Sequence, residues 1–94
     1  MSNQTHVLIE TDALTGATYL TLSSHPVHRT RRVTDLIFVD VDPDNRPIGI
    51  EFAQRPETLA ASDWSVLFGA FPELRATFHD ATYSAELHKV FSAL

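Results

Sequence analysis

VTDLIFVDVDPDNRPIGIEF, residues 33–52, holds two largely apolar runs, LIFVDV at 36–41 and IGIEF at 48–52. Between them lies a polar, proline-bearing turn, DPDNRP at 42–47. Successive side chains of a strand point to opposite faces, so alternating apolar and polar residues describe a strand buried on one side. Centring the turn on Asp44 and Asn45 pairs Val41 with Ile48, Val39 with Ile50 and Ile37 with Phe52, all six on one face. The opposite face takes Phe38 against Glu51, Asp40 against Gly49 and Asp42 against Pro47. A slip of one residue would scatter the apolar set over both faces. Asn45 tolerates the left-handed backbone that such a turn asks for.

Upstream, HVLIETD at 6–12 is a short strand, and Gly16 can take a positive φ in the turn that follows, residues 12–16. ATYLTLS at 17–23 alternates, with Ala17, Tyr19 and Thr21 on one face and Leu20 and Leu22 on the other. These two strands predict a hairpin. Pro26 marks a strand edge or start, and the polar VHRTRRV at 27–33 has the charge of an edge strand. Thr34 and Asp35 then turn the chain into the 33–52 hairpin.

Past Ala53 the period changes. Residues 56–62 form a linker or helix entry. From Asp63 onward Trp64, Leu67, Phe68 and Phe71 fall at helical spacing, with Ser62 or Asp63 as cap. Pro72 ends or kinks that helix and opens a second, PELRATFH at 72–79, with Leu74 and Phe78 inward. Leu87, Val90, Phe91 and Leu94 repeat the spacing in a last helix, capped by Thr82 or Ser84. The expected fold is α+β in one domain, residues 1–94. An antiparallel β-meander of four to five strands (about 6–53) precedes two to three C-terminal helices (about 56–94) that pack on one sheet face.

A chain of 94 residues buries roughly 60–68% of its unfolded surface, enough for one core. The net charge of −5 argues against nucleic-acid binding, since the basic cluster is only Arg29, Arg31 and Arg32. Absence of cysteine removes thiol chemistry and fits a cytoplasmic protein. The start MSNQTHVLIETD lacks the basic and apolar regions of a secretory signal, and no run is long enough to span a membrane.

The first half resembles a known family. The matching residues are Asp12; Ala17, Tyr19, Leu20 and Leu22; Val27, Arg29 and Thr30; Val33 and Asp35; Val39, Asp40 and Asp42; and Ile48, Gly49, Ile50 and Glu51. In this order and spacing they resemble a domain of unknown function, 2283, found in short bacterial and phage proteins. The similarity runs from about Val7 to Phe52. Asn45 stands where that family usually has glycine, and the helical tail has no counterpart in its shortest members. The resemblance implies an antiparallel meander and supplies no activity. Some relatives are encoded in phage genomes or beside small toxin-like proteins, which implies a binding or regulatory role.

Several constellations invite chemistry. Asp40, Asp42, Asp44 and Glu51 have the spacing of a calcium loop, and oxygen ligands there would suit a hard cation. The sixth position is Asn45 rather than glycine, Pro43 and Pro47 stiffen the loop, and the flanks are strands. Alternation and turn chemistry therefore explain these acids better, and no metal or other cofactor is expected. His25 and His28 are the only close histidine pair; their spacing puts them on opposite faces of a strand, and His79 and His88 lie in separate helices. Ser23, Ser24 and His25 are adjacent without forming a triad, and no nucleophile elbow, phosphate loop or zinc-hydrolase motif is present.

The expected function is that of a non-catalytic protein-binding or regulatory module that also self-associates as a homo-oligomer. The candidate interface is Trp64, Phe68, Phe71, Leu87 and Phe91, although an aromatic stripe at helical spacing is more often core. Two alternatives are an antitoxin-like regulator of a neighbouring toxin and a metal-dependent hydrolase using Asp40, Asp42 and Glu51 with His28, Arg29 or Arg31.

Overall fold

The computed structural model describes residues 8–78. Five antiparallel strands are followed by C-terminal helices, giving an α+β architecture. The strands are β1 (Leu8–Thr11), β2 (Thr18–Thr21), β3 (Arg29–Arg32), β4 (Ile37–Val41) and β5 (Pro47–Phe52). A 3₁₀ turn, Pro56–Thr58, leads into helices α1 (Ala61–Ala70) and α2 (Glu73–Phe78). The last expected helix and its caps, including Leu87 and Phe91, lie outside the described residues.

The sheet order is β1-β2-β5-β4-β3. Both expected hairpins form, but β2 pairs with β5 rather than with its sequence neighbour β3. Three consecutive hairpin-linked strands thus have β2 beside the last of them, a Greek-key arrangement rather than a simple meander. The segment 22–28, with Pro26, carries the chain from the middle of the sheet to its far edge.

Each tight turn is closed by local bonds. In the β1–β2 loop the Asp12 carboxylate accepts the N–H groups of Leu14 and Thr15, and Gly16 adopts φ 78°. In the β4–β5 loop the Asp42 Oδ1 accepts the N–H groups of Asp44 and Arg46, both at 2.9 Å, and Asn45 adopts φ 64°. The loop is three residues long, closed by Asp42 N–H to the Arg46 carbonyl. This is the geometry in which a type I turn is followed by one left-handed residue.

The longer loop corrects one end of the expected register. Ile37 opposes Phe52 and Val39 opposes Ile50 as expected, but Val41 opposes Pro47, and a bulge at Ile48 absorbs the extra residue. The carbonyl of Ile48 instead accepts the N–H groups of Leu22 and Ser23. All six apolar side chains of the hairpin are nonetheless buried, at 4% exposure or less.

Helices cover one face of this sheet. Leu20, Ile37, Val39, Val41, Ile50 and Phe52 pack against Trp64, Leu67, Phe68, Phe71, Leu74 and Phe78 in one cluster. Trp64 lies 5.4 Å from Phe52 and 6.2 Å from Phe68, ring centre to ring centre, and Phe68 meets Phe78 edge-on at 5.7 Å. The expected cap of α1 is corrected. The helix starts at Ala61 behind Ala60, with no side-chain cap bond, so Ser62 and Asp63 sit inside its first turn. Pro72 separates α1 from α2 as expected.

Candidate functional site

With one face of the sheet under helices, any site built on the sheet lies on the other. Registers across all five strands assign that outer face. One transverse row runs Glu10, Tyr19, Glu51, Phe38, Arg32, and the next runs Leu8, Thr21, Gly49, Asp40, Thr30. The leucine and the outermost charged groups are exposed, whereas Tyr19, Phe38 and Asp40 are half-buried.

A hydrogen-bonded relay ties the centre of this face together. The Tyr19 hydroxyl donates to Asp40 Oδ2 at 2.6 Å, and the Thr30 hydroxyl donates to Asp40 Oδ1 at 2.5 Å. The chain of contacts spans β2, β5, β4 and β3, with Tyr19 passing over β5 at Gly49. A Cβ at Gly49 would stand 2.0 Å from the tyrosine oxygen and 2.6 Å from Cζ. The mid-strand glycine is therefore what lets the tyrosine pass over β5 and reach Asp40. Burial, the bond to Asp40 and the charges of Asp40 and Glu51 together push the Tyr19 phenol well above its usual range. It is a fixed hydrogen-bond donor rather than a titrating acid near neutrality.

Beside Tyr19 the face opens into a shallow cleft of about 430 Å³, lined by Glu10, Asp12, Ala17, Tyr19 and Glu51 with the strand ends at Thr11 and Thr18. Asp12 serves its turn. Among the described residues the carboxylates of Glu10 and Glu51 make no hydrogen bond or ion pair, and both residues are exposed.

The structure disperses the residues at calcium-loop spacing. Asp40 is held by Tyr19 and Thr30, Asp42 folds back on its own turn, and Glu51 projects beside Tyr19 toward the cleft. No three His, Asp or Glu side chains converge in metal-binding geometry among the described residues. The expected pairing of Arg29 or Arg31 with Asp40 and Glu51 is corrected, because period two puts these arginines on the helix-covered side. Arg31 opposes Val39, lies 5.1 Å from the Phe71 ring centre and donates to Asn45 Oδ1. Arg32, on the outer face, pairs with Asp35. His25 and His28 are exposed outside the strands, while His79 and His88 fall outside the described residues.

The aromatic stripe offered as an interface is core. Trp64, Phe68 and Phe71 are 3%, 7% and 1% exposed, because α1 turns them toward Phe52 and the sheet. The relay among Tyr19, Asp40 and Thr30 escaped sequence reasoning. Its one readable signal was a glycine in mid-strand with a tyrosine on the same face of another strand.

Residues 10–54 match the model of a protein family of unknown function, DUF2283. No curated protein and no solved structure gives a match. The DUF2283 segment takes in Glu10, Tyr19, Thr30, Asp40, Gly49 and Glu51, and so the whole relay and the cleft beside it. It stops before both described helices. Among the described residues no helix is long and apolar enough to cross a membrane.

Proposed function

We propose that the protein is a non-catalytic binding module that meets a protein partner through the outer face of its sheet, the one opposite α1 and α2. The observation that carries this reading is the asymmetry of the sheet. One face is sealed by Trp64, Leu67, Phe68 and Phe71; the other has its central side chains cross-bonded and no helix over it among the described residues. Asp40 spends both oxygens on Tyr19 and Thr30, which makes it a structural anchor instead of a base. A rigid, flat, amphipathic patch around a half-buried tyrosine loses little freedom when a partner covers it.

Affinity capture from the native cell with three forms of the protein tests the reading. Leu8→Arg with Thr21→Arg spoils the outer face, whereas Val66→Arg alters the exposed side of α1, where Val66 is 48% exposed. A protein retained by the wild type and by Val66→Arg, but lost from the Leu8 and Thr21 variant at unchanged melting temperature, supports the proposal. Retention by all three forms, or loss with Val66→Arg alone, refutes it.

A further inference from the structure

We infer that the partner presents an extended segment that adds to β1 as a further strand, antiparallel to it; this names how the partner engages the face proposed above and rests on that proposal. The hydrogen-bond phase of β1 carries the inference. Asp12 gives its N–H to the Ala17 carbonyl, so alternate residues back along the strand, Glu10 and Leu8, turn their backbone groups toward β2. Ile9 and Thr11 then turn theirs away from it. β1 stands at one end of the sheet order, and no described segment pairs with it on that side. A row of alternating N–H and C=O groups is what another extended backbone complements.

The two edges of the sheet are built differently. β3 carries Arg29, Arg31 and Arg32, the kind of charge that keeps a stray strand off. β1 reads LIET, in which Glu10 is the only charged residue and no proline interrupts the edge. Its apolar pair looks both ways. Ile9 is half-buried and packs against the core, whereas Leu8 is 57% exposed in the outer-face row beside Thr21. An added strand with an apolar residue opposite Ile9 extends the core by one position, and the residue beside it covers Leu8. The edge is thus continuous with the outer face, and one partner segment engages both. A second copy is the poorer occupant. In the antiparallel register that uses Ile9 and Thr11 together, it sets Glu10 directly against its own Glu10, like charge facing like.

The first arm of the test needs no partner. In the free full-length protein, at low and at high concentration, amide exchange is expected to be slow at Glu10 and fast at Ile9 and Thr11. Slow exchange at Ile9 and Thr11 in the dilute sample overturns the inference, because the chain then fills its own edge. Slowing that appears only on concentration overturns it in favour of a second copy. The second arm uses Thr11→Pro, which removes a donor from the free edge and leaves the β1–β2 backbone ladder intact. Arg32→Pro is the control on the far edge, where Val33 bonds to Ile37 and Arg32 therefore turns its backbone outward. The protein captured by the wild type is expected to be held about tenfold more weakly by Thr11→Pro, at a melting temperature close to that of the wild type, and equally well by Arg32→Pro. Full retention by Thr11→Pro, or equal loss with Arg32→Pro, overturns strand addition. If Thr11→Pro does not fold, the wild-type complex decides, since the Ile9 and Thr11 amides slow on binding when a segment pairs with β1 and stay fast when none does. Full retention by Thr11→Pro with loss from the Leu8→Arg and Thr21→Arg variant leaves the outer face standing and removes the added strand alone.

Discussion

Gly49→Ala is the sharpest probe of how the outer face is built. Alanine in a strand ordinarily gains about 0.5–1 kcal/mol over glycine, because the unfolded chain has less freedom to lose. Here the added methyl would overlap the Tyr19 hydroxyl and Cζ at 2.0 and 2.6 Å, so the ring must swing away. That movement breaks the bond to Asp40, a loss of about 1–2 kcal/mol for a half-buried, charge-assisted contact. It also uncovers the strand surface, a cross-strand contribution of about 0.2–1 kcal/mol. The net result is a destabilisation of about 0.5–2 kcal/mol, or several degrees of melting temperature for a chain this size. With Tyr19→Ala already in place the clash is gone and the same substitution stabilises. The two effects therefore couple by about 1–3 kcal/mol in a double-mutant cycle. Urea unfolding followed by fluorescence of Trp64, the single tryptophan, measures all four corners. Stabilisation by Gly49→Ala in the wild-type background, or an equal effect in both backgrounds, refutes the reasoning.

Other consequences follow from the same geometry. Because the folded Tyr19 phenol is held above its unfolded value near 10, its contribution to stability is complete below pH 10 and declines as pH rises beyond that. The alkaline fall in stability is accordingly shallower for Tyr19→Phe than for the wild type in chemical denaturation at pH 9–11. Asp42→Ala frees the N–H groups of Asp44 and Arg46 and costs about 1–2 kcal/mol, while Asp42→Asn, which keeps the acceptor oxygen, costs markedly less by the same assay. Millimolar calcium shifts the melting temperature by less than about 1 °C, since Asp40 and Asp42 are occupied by protein donors. Phe52→Ala, which empties the space under Trp64, costs about 3–5 kcal/mol in urea unfolding.

What could be read from the sequence was whatever one buried face imposes on a regular element. Ile37, Val39, Ile50 and Phe52 are spaced for a strand, and Trp64, Leu67, Phe68 and Phe71 for a helix, because each set meets the same core. Devices that cost no apolar pattern were invisible. The bulge at Ile48 follows from a loop one residue longer than the symmetric turn, and Asn45 tolerates either geometry. Helix α1 starts without a side-chain cap behind Ala60, so Ser62 and Asp63 marked a boundary past its true start. The pairing of β2 with β5 is a tertiary choice between strands about 30 residues apart, and local periodicity carries no trace of it. The Tyr19 relay depends on that pairing, which is why Asp40 read as an ordinary outward acid. Once β2 lies against β5, the mid-strand Gly49 becomes the seat of the ring, and Asp40 becomes an anchor rather than an outward acid.

The measurement that most directly tests the outer face as the working surface is an amide-resolved hydrogen-exchange footprint of the protein bound to its captured partner. The account predicts that new protection concentrates in β1, β2 and residues 49–51, with α1 and α2 exchanging as in the free protein. Protection confined to the helices, or none on the sheet, would contradict it.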